Sequence, residues 1–139
     1  MSEVDLRVII DGRPGGMEEI EALLRPGEET MLMLSVPGCS PCASMKALLD
    51  EAGRLSGPIA MRRDVTFEGG SHRDDRVTAM LGKPLTMFPS VLFRSPDGDH
   101  HWLRGSGDKH GAWTAERITV WIARCRRRIG KDPLRSSIE

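Results

Sequence analysis

The sequence predicts an α/β fold in which an open mixed sheet, parallel at its centre, carries helices on both faces. Short apolar runs typical of strands alternate along the chain with segments whose apolar residues recur at helical spacing. The continuous apolar run Met31–Val36 is typical of a strand that is buried on both faces, as in the middle of a parallel sheet. Together these observations predict a three-layer α/β/α sandwich with the element order βαβαβαββα.

The first half of the chain supplies two strands and two helices. The first strand alternates apolar and polar residues, and the turn-forming segment Asp11–Gly16 ends it. Met17, Ile20 and Leu24 recur at helical spacing, and the segment Arg25–Gly27 ends that helix. The elements predicted here are a strand over 6–10, a helix over 17–24, a strand over 31–36 and a helix over 43–55.

The second half completes the sheet and adds two helices. Pro96-Asp97-Gly98 is a turn sequence between two apolar runs, so it predicts a β-hairpin. Thr114 is placed to cap the last helix, whose apolar stripe ends in Cys125 and Ile129. The elements predicted here are a strand over 59–65, a helix over 73–81, strands over 90–94 and 100–104, a loop over 105–111 and a helix after Thr114.

Length and charge limit the kinds of protein this can be. The 139 residues are enough for one domain with a core, which we expect to span 1–130, followed by a polar tail over 131–139. Lys plus Arg and Asp plus Glu both number 20, so the formal net charge is zero. Global electrostatics therefore gives no reason to expect a nucleic acid or an anionic membrane as a partner.

The sequence also predicts a cytoplasmic location. No stretch approaches the roughly 18 apolar residues of a spanning helix. The acidic start Met1–Asp5 lacks the long apolar core of a secretory signal. Three cysteines are too few for a disulfide-stapled secreted scaffold, and in the cytosol a C-x-x-C is more often catalytic or metal-binding than structural.

The most informative motif is Cys39-Ser40-Pro41-Cys42, which lies between a predicted strand and a predicted helix. Residues three apart in a first helical turn face the same way, so the two thiols can approach disulfide geometry. Helix N–H groups that lack intrahelical partners lie near the first cysteine and favour its thiolate. Pro41 suits a first helical turn, because its missing N–H would be unpaired there. The motif predicts a dithiol/disulfide redox site.

A zinc half-site is the structural alternative for the cysteine pair. A closed zinc site takes four ligands, and the chain has no second C-x-x-C. His100 and His101 are neighbours on a predicted strand, so their side chains point to opposite faces. His72 and His110 are single loop residues that we expect to be solvated. The redox interpretation is therefore favoured, with no metal and no bound cofactor.

With these features the chain resembles the thioredoxin family over roughly residues 4–129. The C-x-x-C lies at a strand-to-helix junction, as in that family, and Phe88-Pro89 opens the penultimate strand. The Asp97-Gly98 hairpin and Gly105 after the last strand complete the match. The resemblance implies a thioredoxin-like sandwich and a thiol:disulfide oxidoreductase.

The same resemblance assigns roles to residues. Cys39 would be the attacking cysteine and Cys42 the resolving one. Pro89 would be a cis-proline beside the sulfurs, and the backbone of Phe88 would pair with an extended substrate segment. The sequence independently supports a special role for Pro89, because a proline lacks a ladder donor and is tolerated mainly at the first residue of a strand. The predicted substrate-binding residues are Phe88, Pro89, Gly38 and Pro41.

Two positions depart from the family pattern. The family usually has a tryptophan immediately before the first cysteine, where this chain has Gly38. It often has a buried aspartate six residues before that cysteine, where this chain has Met33. These departures leave open an alternative function, a thioredoxin-fold adaptor or accessory subunit without redox turnover.

The favoured function is thiol–disulfide exchange on disulfide-containing protein substrates, with a thiol or a reductase as electron donor. Family members that have a histidine at the place of Pro41 tend to be oxidants. The Ser-Pro pair carries no such charge to stabilise the reduced thiolate further. The sequence therefore favours a reductant or a mild exchange catalyst.

Other reactive or charged residues have ordinary interpretations. Cys125 falls on the apolar stripe of the last helix and is expected to be a small buried hydrophobe, with a regulatory thiol as the alternative. The arginines at 124 and 126–128 suit the C-terminal end of a helix dipole, and an acidic-partner patch is the alternative. Lys46 is expected to be an exposed helix residue, and Asp64 to lie at the end of a strand or in a turn.

Overall fold

The computed structural model describes residues 6–25, 27–57, 59, 61–103, 107–108 and 111–127. The strands in this part of the chain are β1 Val8–Ile10, β2 Arg13–Gly15, β3 Thr30–Ser35, β4 Met61–Phe67, β5 Ser90–Arg94, β6 His100–Leu103, β7 Gly107–Asp108 and β8 Gly111–Ala112. The helices are α1 Met17–Leu23, α2 Ser40–Ser56, α3 Asp75–Leu81 and α4 Ala115–Arg127, with a 3-10 turn at Ser71–Arg73. The predictions for Arg104, Gly105, His110, Arg128, Ile129 and the tail 131–139 fall outside the described residues.

Strand β3 lies in the middle of the sheet, as its continuous apolar run predicts. The described strands form a six-stranded sheet in the order β2-β1-β4-β3-β5-β6, and a separate ribbon joins β7 and β8. Strand β3 pairs parallel with β4 and antiparallel with β5, and every residue of β3 is buried. The mixed sheet with a parallel pair at its centre is confirmed.

Helices cover both faces of this sheet. Successive strand residues point to opposite faces, so Met31 and Met33 pack on one side of β3 while Leu32 and Leu34 pack on the other. The side with Leu32 and Leu34 is covered by buried residues of α1 and α3, and the other side by those of α2 and α4. The predicted three-layer α/β/α sandwich is therefore confirmed.

The segment after β1 is a hairpin, where the sequence predicted only a break. Asp11 and Gly12 both have positive φ, at 50° and 84°, which is the backbone of the tight two-residue turn that joins twisted strands. Ile10 faces Arg13 across it. Strand β2 lies at the edge of the sheet, where the missing N–H of Pro14 costs little. The Asp11-Gly12 pair is a local sequence signal for this hairpin.

The predicted loop over 105–111 contains part of a β-ribbon. Gly107 faces Ala112, and Asp108 faces Gly111, in an antiparallel pair of two-residue strands. The chain then enters α4, and the hydroxyl of Thr114 accepts a hydrogen bond from the backbone N–H of Arg117 at 3.2 Å. The predicted cap of the last helix is confirmed.

The basic end of α4 contains a specific ion pair. The guanidinium of Arg126 donates to both carboxylate oxygens of Glu29, at 2.8 and 2.7 Å, and to the backbone carbonyl of Ser56 at 2.9 Å. The hydrogen bonds from Glu29 raise the pKa of Arg126 above its ordinary value. Arg126 therefore links α4 to the residue before β3 and to the end of α2. The helix-dipole role predicted for this arginine did not include these contacts.

Cys125, on the preceding position of α4, is buried among apolar residues, as predicted.

Among the described helices, none combines the length and the apolar character that crossing a bilayer requires.

Asp74 caps α3 and provides a test of the local structure. Its carboxylate accepts the backbone N–H of Arg76 at 2.8 Å and two side-chain N–H groups of the same arginine at 2.9 and 2.6 Å. These hydrogen bonds, the side-chain ones first, lower the pKa of Asp74 from 3.8 to about 2. Asp74→Ala is expected to lower the free energy of unfolding by about 1 kcal/mol at pH 7.

The pH dependence of the stability lost in Asp74→Ala follows from the lowered pKa of Asp74. Because the folded-state pKa of Asp74 is depressed, its contribution is present above pH 3.8 and disappears as the pH falls towards 2. Urea unfolding of wild type and Asp74→Ala should therefore differ at pH 7 and converge near pH 2. Asp74→Asn, which keeps a capping oxygen, is the control and should lose much less at pH 7. Equal stability of Asp74→Ala and wild type at pH 7 would contradict the assigned cap.

Candidate active site

The junction between β3 and α2 positions the cysteine pair. The chain leaves β3, turns at Pro37 and Gly38, and enters α2 with Cys39 as its N-cap residue. Gly38 has a φ of 78°, a left-handed conformation that costs residues with a side chain about 1 kcal/mol or more. Pro41 lies in the first turn of α2, as predicted. The turn geometry explains why a glycine precedes Cys39.

Cys39 and Cys42 form a disulfide, with their Cα atoms 5.4 Å apart. The backbone N–H of Cys42 donates to the carbonyl of Cys39 at 3.2 Å, so the first turn of α2 holds both residues. Cys42 is only 5% exposed, whereas Cys39 is half-buried. Cys39 is therefore the more exposed cysteine, and it lies where the positive end of the helix dipole favours a thiolate.

The Phe88–Pro89 segment lies beside this junction. Strands β3 and β5 pair antiparallel with Leu34 opposite Ser90, so the residues that follow β3 lie alongside those that precede β5. Phe88 and Cys39 pack against the same core cluster, and the Phe88–Pro89 peptide bond is cis, as expected from the resemblance. The hydroxyl of Ser90 donates to the carbonyl of Met87 at 2.6 Å across this turn.

Comparison with known proteins adds the fold family. No family model and no curated protein matches the chain. Among solved structures, a J-Trx1 fragment of ERdj5 aligns with a TM-score of 0.56 at 17% identity, over 83% of this chain and 50% of the fragment. The fold is thioredoxin-like. This chain therefore spans half the length of that fragment.

Two further thioredoxin-like structures align over nearly their whole length. One is a secreted disulfide oxidoreductase of Mycobacterium tuberculosis homologous to E. coli DsbE, with a TM-score of 0.52 at 12% identity, over 87% of this chain and 95% of the other. The other is Arabidopsis thaliana ScoI with copper bound, with a TM-score of 0.53 at 12% identity, over 89% and 97%. At these identities the likeness is one of fold, and the site must be argued from this chain's own residues.

The inner side of the site is apolar. Met33, at the place where the family often has a buried aspartate, is buried in the same core cluster as Cys42. Lys46, one helical turn after Cys42, is exposed and pairs with Asp50 at 3.2 Å and with Asp64 at 3.8 Å. Asp64 lies in the middle of β4, and its carboxylate also pairs with Arg62. The prediction that Asp64 lies at a strand end or in a turn was therefore wrong.

His72 is placed differently from the prediction. It was expected to be a solvated loop residue, but it lies in the 3-10 turn with its ring edge-on to Phe88, at 5.1 Å between ring centroids. Its Nδ1 atom is buried without a hydrogen-bond partner. Burial, followed by the charge of Arg73, lowers the pKa of His72 below its ordinary value. The prediction was wrong because the contact with Phe88 joins two segments that are remote in sequence.

His100 and His101 face opposite sides of the sheet, as predicted. Nδ1 of His100 lies 3.2 Å from the carbonyl of Leu81, and Nε of Arg94 donates to its Nε2 at 3.2 Å. The ring of His101 lies 6.3 Å from that of Phe93, on the α2 and α4 side. Within the described ranges, no three His, Cys, Asp or Glu side chains come together as a metal site.

The two segments that meet at the disulfide are uncharged, which the sequence analysis missed. The two segments that meet there, 30–45 and 84–93, contain no Asp, Glu, Lys or Arg, although 29% of the chain is charged. Several residues of these segments are exposed, and Met87, next to Phe88, is 63% exposed. The sequence signal for this surface was the lack of charged residues in both segments. Only their pairing in the sheet shows that they form one surface.

Proposed function

We propose that the protein is a thiol:disulfide oxidoreductase that acts on disulfide-containing protein substrates through Cys39 and Cys42. The observation that carries the proposal is the disulfide at the N-terminal end of α2, in which Cys39 is half-buried and Cys42 is buried. An accessible sulfur can be reached by a second polypeptide. A protected partner three residues later can then resolve the intermediate.

The reaction is two successive thiol–disulfide exchanges. In the reduced protein, the Cys39 thiolate attacks one sulfur of a substrate disulfide. The substrate S–S bond breaks, and the departing sulfur leaves as a thiolate that takes a proton from solvent. Cys42 then loses its proton and attacks Cys39, which releases the second substrate thiol and forms the Cys39–Cys42 disulfide. A thiol or a reductase returns two electrons to the protein.

The two uncharged segments at the disulfide, 30–45 and 84–93, favour an uncharged substrate segment. Phe88 and Pro89 border the cysteines on one side, and Gly38 and Pro41 flank them in the chain. Placing a charged segment against such a surface would remove its hydration without providing partners. We therefore propose that the substrate presents its disulfide on an extended segment with apolar neighbours. A reductant or a mild exchange catalyst is the favoured direction, because Ser-Pro places no charge between the cysteines.

Met87→Lys tests the role of this surface. The substitution is expected to raise KM for a protein disulfide about tenfold, because burial of the methionine is lost and a charge must be desolvated. The rate with 2-hydroxyethyl disulfide, a small substrate that has no polypeptide segment to bury against residue 87, should stay unchanged. Val120→Lys, at an equally exposed apolar residue on α4, is the matched control. An unchanged KM in Met87→Lys would contradict the proposed substrate surface.

The activity itself is tested by reduction of insulin disulfides with dithiothreitol as electron donor. Wild type is expected to accelerate the reduction above the rate of dithiothreitol alone. The double variant Cys39→Ser/Cys42→Ser is the control, because it keeps the rest of the chain but lacks the dithiol. Wild-type rates equal to those of the double variant would exclude the proposed activity.

A thioredoxin-fold adaptor or accessory subunit is the second candidate. Two observations favour it: Gly38 occupies the place of the usual tryptophan, and Met33 makes the inner side apolar where an acid often serves as a proton relay. An adaptor would show no turnover and a Cys39 thiol of ordinary reactivity. The cytoplasmic location, the absence of nucleic-acid and membrane partners, and the identity of the donor stay predictions.

A further inference from the structure

We propose that a groove beside the C-terminal half of α2 binds a small organic anion, a carboxylate on a short apolar body, through the guanidinium of Arg62. The groove has a volume of about 530 Å³ and lies between α2 and the neighbouring ends of β3 and β4. Its apolar part is lined by Met31, Leu49 and Ile59, its charged part by Asp50, Arg54 and Arg62, and the rest by Gly53 and Gly57.

Arg62 has hydrogen-bond donors that the described residues leave unused. Its Nη1 donates to Asp64 at 2.5 Å and to the carbonyl of Arg63 at 2.8 Å. Its Nε and Nη2 atoms are buried and have no hydrogen-bond partner, although Nη2 forms a long ion pair with Asp50 at 3.7 Å. Buried donors without acceptors are rare and costly, so they point to an acceptor that occupies the site when it is filled.

The arrangement of these donors selects the chemistry of the ligand. Nε and Nη2 lie on one edge of the planar guanidinium, and their N–H groups match the two oxygens of a carboxylate. The neighbouring charges already have hydrogen-bonded partners: Asp50 binds Lys46 at 3.2 Å and lies too far from Nη2 of Arg62, at 3.7 Å, for a hydrogen bond, and Arg54 pairs with Glu51. An anion at Arg62 therefore adds an acceptor where one is missing.

Gly53 keeps the groove open. It lies in the interior of α2, where glycine is less favourable than alanine by about 1 kcal/mol. A Cβ atom added at Gly53 would meet nothing within 4 Å. Packing within the protein therefore does not require a glycine there, while a longer side chain would enter the space that Met31, Leu49 and Ile59 border. These apolar walls suit a short hydrocarbon body on the carboxylate.

The groove is separate from the cysteine site. Gly53 follows Cys42 by 11 residues in the same helix, or about 16 Å along its axis. The proposal therefore does not depend on the redox function, and binding can be measured without turnover.

Titration of the oxidised, ¹⁵N-labelled protein with hexanoate tests the site, with the backbone amides of Gly53 and Gly57 as reporters. We expect saturable shifts of both amides. Hexan-1-ol, which lacks the carboxylate, and acetate, which lacks the apolar body, should each bind about tenfold more weakly or worse. No saturable shift with hexanoate, or equal affinity for hexanol or acetate, would overturn the proposal.

Variants of neighbouring residues localise the binding. Arg62→Lys keeps the charge but removes the paired donors and should weaken hexanoate binding about tenfold. Gly53→Leu fills the groove, leaves Arg62 in place and should abolish binding. Arg63→Lys is the matched control: Arg63 is the next residue of β4, faces the opposite side of the sheet and pairs with Asp11 at 3.3 Å. Unchanged affinity in Arg62→Lys or Gly53→Leu would overturn the assigned site.

Asp50→Asn distinguishes an internal partner from an external one. If Asp50 turns onto the free edge of Arg62 in solution, hexanoate binds Asp50→Asn and not wild type, and the proposal fails. If Asp50 stays 3.7 Å from Nη2, as in the structure, and an external carboxylate takes the free donors, both proteins bind hexanoate.

Discussion

Cys39→Ser is expected to reduce insulin disulfides no faster than dithiothreitol alone, whereas Cys42→Ser is expected to lose turnover but to trap its substrate. Cys39 is the more exposed cysteine and lies at the helix N-terminus, so its removal eliminates the first attack. Without Cys42 the first attack still occurs, but the mixed disulfide with Cys39 is not resolved. The mixed disulfide is detected as an additional band on a non-reducing gel and by its intact mass. Both signals should disappear on reduction.

Cys125→Ser is the control for these two variants. Cys125 is buried among apolar residues of α4 and has no part in the proposed cycle, so its variant should keep wild-type activity. Trapping through Cys42 in the Cys39→Ser protein, or wild-type activity in either variant, would contradict the assigned order of attack.

Arg126→Met is expected to have the largest effect on stability among single changes outside the core. The Arg126 and Glu29 side chains are only 28% and 16% exposed, and the substitution leaves the carboxylate of Glu29 and the carbonyl of Ser56 without this donor. Removing one partner of a fully buried pair costs about 3–5 kcal/mol. Since this pair is partly solvated, we expect a loss of about 2 kcal/mol in the free energy of unfolding, measured by urea denaturation.

Arg124→Met provides the matched control, because Arg124 lies on the same last turn of α4 and is exposed. A general helix-dipole effect would make the two variants equally unstable, by a few tenths of a kcal/mol each. Equal losses would therefore contradict the specific role of Arg126.

The parts of the fold with strong local signals could be predicted from the sequence. Strand β3 follows from its unbroken apolar run, and the start of α2 follows from Pro41 behind a cysteine. The Cys39–Cys42 pairing needed only the geometry of a helical turn, because both residues lie within it. The cis bond before Pro89 was expected only through the family resemblance, since spacing alone does not fix the isomer of a peptide bond.

The parts that depend on contacts remote in sequence could not be predicted. Arg126 and Glu29 are 97 residues apart, so nothing near either residue distinguishes their pair from an ordinary basic helix end. The edge contact of His72 with Phe88 and the free donors of Arg62 beside Gly53 depend in the same way on how the helices pack on the sheet. The β1–β2 hairpin is different, because its Asp-Gly turn was a local signal that was interpreted as a break.

The rate at which iodoacetamide alkylates Cys39 in the reduced protein is the most direct test of the proposed redox function. The position of Cys39 at the N-terminus of α2 predicts a thiolate near neutrality, and therefore alkylation at pH 7 about tenfold faster than in the urea-unfolded chain, with Cys39 identified by peptide mass. A folded-state rate equal to or below the unfolded-state rate would contradict an activated cysteine and favour the adaptor.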